Sequence, residues 1–140
     1  MNTRPVLDVI VVGGGAVGAS AAAALAQSGF AVALVEPNAP TAAAEDAPLD
    51  ARVIALSPAS ARFVERLDAW PRPPQRAFAY RDMEVRSGDE VLRFGRDLVA
   101  EPALGWIVEL RALQARLFDA ARSRVAAVHA ARVTECERGE

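Results

Sequence analysis

Gly13-Gly14-Gly15-Ala16-Val17-Gly18 carries the spacing G-x-G-x-x-G, and that spacing has a definite physical use. Gly13 permits a tight turn out of a preceding strand. Gly15 lets the backbone come against a pyrophosphate with no Cβ in the way, and Gly18 lets a helix lie close on a sheet. The phosphates would rest on the free N–H groups and positive dipole end of that helix, which Ala16 and Val17 open. Glu36 ends the next apolar run, where an acid accepts hydrogen bonds from a ribose and disfavours a 2′-phosphate. The tightly held nucleotide is therefore not expected to be NADP. FAD and NAD share this fingerprint, so the residues by themselves reach a dinucleotide and go no further. The plainer alternatives are a glycine turn in another βαβ protein and a solvated strand-end charge at Glu36.

Such residues need a strand, a helix and a second strand to position them. Val6 to Val12 is a β-branched run of the kind found in a buried parallel strand. Ala16 to Ser28 is alanine-rich and predicts a helix, with Gly29 as its C′ residue. Phe30 to Val35 predicts the second buried strand, which completes a βαβ unit. Pro37 to Pro48 reads as an exposed loop and Arg52 to Leu56 as a brief extended segment. Ser57-Pro58 opens a helix expected to run to about Ala69, and Pro71 to Pro74 stops it.

Farther on, Ala79 to Val85 and Val91 to Phe94 predict a hairpin around Ser87-Gly88-Asp89, with Met83, Val85, Val91 and Phe94 on one apolar face. Gly105 to Val108 is another extended piece. A helix from Glu109 to about Arg124 sets Leu110, Leu113, Leu117, Phe118 and Ala121 on one side, and Val125 to Val133 returns as a strand.

The 140 residues amount to about one domain. With 16 basic and 18 acidic residues the net charge is −2, which excludes a basic nucleic-acid-binding surface over the whole chain. Hydrophobic residues make up 52 %, a globular composition. Cys136 is the single cysteine, so neither an internal disulfide nor a thiolate cluster can form. No charge interrupts Val9 to Val35, a length that could span a bilayer, yet its glycines and alanines drive insertion poorly and the βαβ reading is preferred. His129 has no partner carboxylate or second histidine nearby in sequence, and Glu45, Asp46 and Asp50 show no metal-ligand spacing. Trp70 and Trp106 are expected to pack rather than to stack on a ligand.

Three stretches together resemble one family. They are Asp8 to Gly18 with Val32-Ala33-Leu34-Val35-Glu36; Asp50-Ala51-Arg52-Val53-Ile54-Ala55-Leu56-Ser57; and Leu104-Gly105-Trp106-Ile107-Val108-Glu109-Leu110 followed by Gln114-Ala115-Arg116-Leu117-Phe118. They look like the FAD-dependent aromatic hydroxylases of ubiquinone biosynthesis, a branch of the para-hydroxybenzoate-hydroxylase-like flavoproteins. The Glu109-Leu110 pair is most similar to the 2-polyprenyl-6-methoxyphenol hydroxylase branch.

The resemblance implies an α/β fold: a Rossmann-like, glutathione-reductase-like FAD-binding βαβ domain with the beginning of an inserted β-rich substrate domain. Residues 1–75 would be the first part of the FAD domain, 76–108 the hairpin segment of the substrate domain, and 109–140 the returning helix and strand. It implies that Arg52 lies near the flavin and its pyrophosphate, the alternative being a salt bridge to Asp50 or Glu36. The start of the Glu109 helix would touch the phosphate or ribityl side. Relatives often carry Arg or Gln at Leu110, so Arg111 stands in there or is a solvated helix charge. The implied cofactor set is non-covalent FAD, with NAD(P)H as co-substrate reducing it and O₂ supplying the hydroxyl oxygen.

The implied substrate is a polyprenylated phenol, met in the cytoplasm or peripherally at the inner face of the cell membrane, with a ubiquinone-pathway complex as a further partner. Motifs expected beyond residue 140 would make this the N-terminal portion of such an enzyme, inactive alone. Another flavoprotein of the superfamily, a nucleotide-binding module without catalysis, and an NAD-linked dehydrogenase are the rivals.

Overall fold

The β-branched run Val9-Ile10-Val11-Val12 extends as β1 (Val9–Val12), and the three glycines after it end the strand. Alanine, with no side-chain entropy to lose, then favours helix, and α1 runs Ala16–Gln27. β2 (Val32–Val35) follows and pairs with β1 in parallel, Val9 opposite Val32 and Val12 opposite Val35. This computed structural model describes residues 6–42, 44, 46–71, 76–98 and 100–137. The predicted break at Pro71 to Pro74 therefore lies mostly outside the described residues.

α1 ends as its sequence dictates. Gly29, at φ +95°, donates to the Ala26 carbonyl, and Phe30 donates to that of Leu25, the two bonds of a Schellman motif. A third parallel strand, β8 (Ala127–His129), joins the far edge of β2, giving the order β1-β2-β8. β8 is much shorter than the Val125 to Val133 expected. β2 is central and buries Val32, Ala33 and Leu34. β1 is not the buried strand its composition suggests: Ile10 and Val12 are 61 % and 62 % exposed. Val9 and Val11 pack on the core, whereas the opposite face of β1 has no cover among the described residues.

A second, antiparallel sheet has the order β3-β7-β4, from β3 (Val53–Leu56), β7 (Gly105–Glu109) and β4 (Ala77–Tyr80). Val53 stands opposite Glu109, and Ala77 opposite Val108. Between β3 and β4 lies α2 (Pro58–Arg66), whose N-cap Ser57 accepts from the Ser60 amide with Pro58 in the first turn. It stops before Ala69 because Asp68 takes φ +55°. Asp68 donates to the Glu65 carbonyl and Ala69 to that of Val64, so this is a Schellman ending without glycine.

Where one strand was expected from Ala79 to Val85 there are two. The chain leaves the second sheet at Arg81 and begins β5 (Asp82–Ser87), which among the described residues pairs only with β6 (Glu90–Gly95). Ser87 faces Glu90, so the turn holds two residues, and Val85 faces Leu92. Leu92, not Val91, therefore joins Met83, Val85 and Phe94 on the apolar face.

The last helix, α3 (Leu110–Arg122), packs on α1 and buries Leu113, Leu117, Phe118 and Ala121. With Ala19, Ala22 and Ala23 of α1, Val32 and Leu34 of β2, and Val64 and Leu67 around the end of α2, these form one hydrophobic core. Small alanines on the α1 face let the two helices and the sheet approach closely, which brings the start of α3 to the start of α1.

Candidate functional site

The glycine loop is fixed from both ends. Gly13 sits at φ +100° and its amide donates to the Val35 carbonyl at 2.8 Å. A Cβ on Gly18 would collide with the Gly13 carbonyl oxygen, so the helix meets the loop at a distance only glycine allows. Gly15 is different. Its φ is −67°, which any residue adopts, and a Cβ there would meet only Gln114 Nε2, at 3.9 Å. Neither backbone strain nor packing within the chain requires glycine at this position. The missing side chain leaves room directly in front of the α1 N-terminus.

That terminus is itself unprovided for. α1 has no side-chain cap and no acidic residue in its first turn, so its first N–H groups and dipole face outward. Ala16 and Val17 form the rim, and Val17 is 83 % exposed, an apolar side chain left in the open beside polar N–H groups. An anion with an extended apolar neighbour fits this chemistry.

Glu36, at the end of β2, stands beside this loop rather than out in solvent. Its Oε2 accepts from the Gly14 amide at 2.6 Å and its Oε1 from the Asn38 amide at 2.8 Å. Each carboxylate oxygen has a second lone-pair direction, so the group can still accept from a hydroxyl. Gly14, which the spacing alone does not single out, turns out to be tightly constrained. A Cβ there would lie 2.8 Å from Glu36 Cβ and 2.9 Å from Phe118 Cε2.

Arg52 and Arg111 come together at the start of α3. The Leu110 amide donates to the Arg52 carbonyl at 3.0 Å, an extension of the β3–β7 ladder. Arg52 pairs with Asp50, Nη2 to Oδ2 at 2.8 Å, with Nε at 3.2 Å and its own amide on Oδ1 at 2.9 Å. The salt-bridge alternative is thus what the structure contains, although the guanidinium remains 74 % exposed. The hydrogen bonds from Arg52 hold the Asp50 carboxyl below its usual range, and Asp50 in turn raises Arg52. Arg111 Nε donates to the Thr41 carbonyl at 3.3 Å. Gln114, one turn along α3 from Arg111, is the side chain that a Cβ on Gly15 would meet.

One buried ion pair escaped the sequence reading. Arg76 and Glu109 are 4 % and 3 % exposed, and Arg76 Nη1 donates to Glu109 Oε2 at 2.6 Å. No motif announces it, because Arg76 immediately precedes β4 and Glu109 ends β7, and the two meet only once those strands pair. The other candidates are structural or idle. Trp70 and Trp106 pack edge to face at 6.0 Å against the core, and Cys136 is an exposed thiol. Among the described residues no group of three or more His, Cys, Asp or Glu is placed to hold a metal, and no helix is long and apolar enough to cross a membrane.

A family model described as FAD dependent oxidoreductase matches residues 8–49, which contain the glycine loop and Glu36. Over 122 residues the chain is 34 % identical to the 3-demethoxyubiquinol 3-hydroxylase of Escherichia coli (strain K12), covering 86 % of this chain and 31 % of that protein. Over 108 residues it is 38 % identical to the ubiquinone hydroxylase UbiM of Neisseria meningitidis, covering 72 % of this chain and 23 % of the relative. The chain thus spans a third or less of the length of these relatives.

Among solved structures, PqsL of P. aeruginosa in complex with 2-aminobenzoylacetate superposes with a TM-score of 0.66 at 23 % identity, over 96 % of this chain and 36 % of that one. The p-nitrophenol 4-monooxygenase PnpA of Pseudomonas putida DLL-E4 gives 0.59 at 21 %, over 86 % and 30 %. These likenesses show the fold, the Rossmann-like α/β arrangement of FAD-dependent monooxygenases. The family resemblance read from the residues is the one the comparisons return.

Proposed function

We propose that this chain, related to the ubiquinone hydroxylases and carrying an FAD dependent oxidoreductase region at residues 8–49, is the FAD-binding part of a flavin monooxygenase that hydroxylates a polyprenylated phenol in ubiquinone biosynthesis. The observation that carries the reading is Gly15: a glycine that the chain's own geometry does not need, set before an uncapped helix end. A pyrophosphate needs both features.

In this reading Gly13, Gly15, Ala16, Val17 and Gly18 hold the pyrophosphate of FAD, and Glu36 accepts from the adenosine ribose. Arg52 and Arg111 face the phosphate or ribityl side. Bound FAD would supply the chemistry, reduction by NAD(P)H and transfer of an oxygen atom from O₂ to an electron-rich ring. The chain's own residues bind and orient it. Glu36, already accepting from Gly14, fixes the loop that the phosphates would rest on. A polyprenyl substrate also implies a protein working at the membrane surface.

The test is FAD titration of the purified chain followed by visible absorbance and flavin fluorescence, with Gly15→Val beside it. The open space at Gly15 predicts a variant with an unchanged melting temperature and no FAD binding. Wild-type affinity in a folded Gly15→Val protein would overturn the placement.

A further inference from the structure

We infer that Arg76 is a positioning residue for the FAD site: a buried clamp that holds the Ala44 and Ala47 carbonyls, and with them the stretch leading to Arg52, against the start of α3. The inference rests on the FAD-binding reading above. Arg76 is anchored by Glu109, the N-cap residue of α3, which makes no capping hydrogen bond with its side chain. Its second nitrogen, Nη2, donates to the carbonyl oxygens of Ala44 at 3.2 Å and Ala47 at 2.9 Å. The Ala44 carbonyl also closes a turn by accepting from the Ala47 amide at 3.0 Å. One guanidinium therefore pins both ends of that turn from beneath.

The two arginines expected at the flavin side hang from the same segment. Arg111 reaches the Thr41 carbonyl, before the turn, and Arg52 is held by Asp50, after it. Neither contact touches Arg76, yet both depend on where the segment lies. Burial makes the clamp costly: a charge at this depth persists only when paired and hydrogen-bonded. Even so, Glu109 Oε1 has no hydrogen-bond partner among the described residues. Glu109 caps nothing with its side chain, and core packing alone would be served as well by an apolar pair of the same volume. What an apolar pair could not do is donate to two loop carbonyls, and only arginine's planar fork does so while still pairing with a carboxylate.

The experiment uses the whole chain and three variants: Arg76→Met, Arg76→Lys and the double replacement Arg76→Met with Glu109→Leu. Melting temperature, FAD affinity and hydrogen exchange across residues 46–52 are read on each. Arg76→Met leaves Glu109 buried and unpaired and is expected to lose stability. The double variant removes both charges and is expected to recover most of that loss, while FAD binding stays about tenfold weaker, as the loss of supporting hydrogen bonds would give, and exchange across 46–52 stays fast. Arg76→Lys keeps the charge but not the fork and is expected to fold with the same binding and exchange defects.

Recovery of affinity and exchange protection together with stability in the double variant would make the pair purely structural and overturn the inference. So would failure of both the double and the lysine variant to fold. If the wild-type chain takes up no FAD, the binding reading fails. The clamp is then decided by exchange alone, normal protection in the double variant refuting it.

Discussion

Gly13, Gly14, Gly15 and Gly18 hold glycine for unlike reasons, and substitutions should separate them. Gly14→Ala puts a methyl within 2.8 Å of Glu36 Cβ and 2.9 Å of Phe118 Cε2. Because neither neighbour is the far end of a flexible chain, overpacking should cost about 1–3 kcal/mol, measured as a drop in urea midpoint with no change in slope. Gly15→Val should leave that midpoint where it is. The distinction was only half legible in the sequence. Gly13, Gly15 and Gly18 announce themselves because their constraints come from the adjacent strand, helix and expected ligand. Gly14 is constrained by Phe118, on a helix far along the chain, and no local pattern reports such a contact. Arg52 was legible as a charge near the site but its pairing with Asp50 was one alternative of several. That pairing has a pH signature. Asp50 titrates below its ordinary value of 3.8 because Arg52 donates to it. Its stabilising contribution is therefore complete above about pH 5 and lost as the pH falls through its depressed value. The melting-temperature gap between wild type and Asp50→Asn should be constant above that pH and close in acid. A gap that widens on acidification would refute the assignment.

Elements were legible where a local rule fixes them. Ser57-Pro58 started α2 and Gly29 ended α1, each by filling a backbone requirement at that position. Two of the misjudged boundaries are decided by partners. The chain breaks at Arg81 because β4 belongs to the sheet with β7 whereas β5 belongs to the hairpin, and nothing in Ala79 to Val85 says so. In the hairpin, a two-residue turn in place of three moved Val91 to the other face and brought Leu92 in, since a one-residue slip inverts a strand. The end of α2 was missed because Asp68 occupies the left-handed position usually given to glycine. An L-residue there pays a steric cost that glycine avoids. Asp68→Gly should thus stabilise the protein by about 0.5–1 kcal/mol after glycine's greater unfolded-state entropy is counted. The Asp68 carbonyl that accepts from Arg116 at 2.7 Å is backbone and survives the change. A lower thermal midpoint in this variant would mean that the aspartate side chain contributes something its backbone strain conceals.

At the scale of the whole molecule, the composition and the βαβ signature foretold an α/β nucleotide fold, but they foretold a fully buried β1 as well. The parallel sheet explains the discrepancy. A strand that reads as Val-Ile-Val-Val is built to be covered on both faces, and here only Val9 and Val11 are. Ile10 and Val12 stand more than half exposed, as does Val17 at the head of α1. β1 also bonds to a single neighbour, β2, among the described residues. An apolar, β-branched strand with one free edge is a template for pairing with another chain. The 140-residue chain should therefore self-associate as its concentration rises, seen as a growing weight-average mass in sedimentation equilibrium. Ile10→Lys with Val12→Thr should suppress that association while leaving the melting temperature at low concentration nearly unchanged, because neither side chain is in the core. The hairpin offers the competing surface, since Met83, Val85 and Leu92 are exposed too. If association persists in the β1 variant and disappears on Val85→Thr with Leu92→Thr, the adhesive face is the hairpin and β1 is merely uncovered.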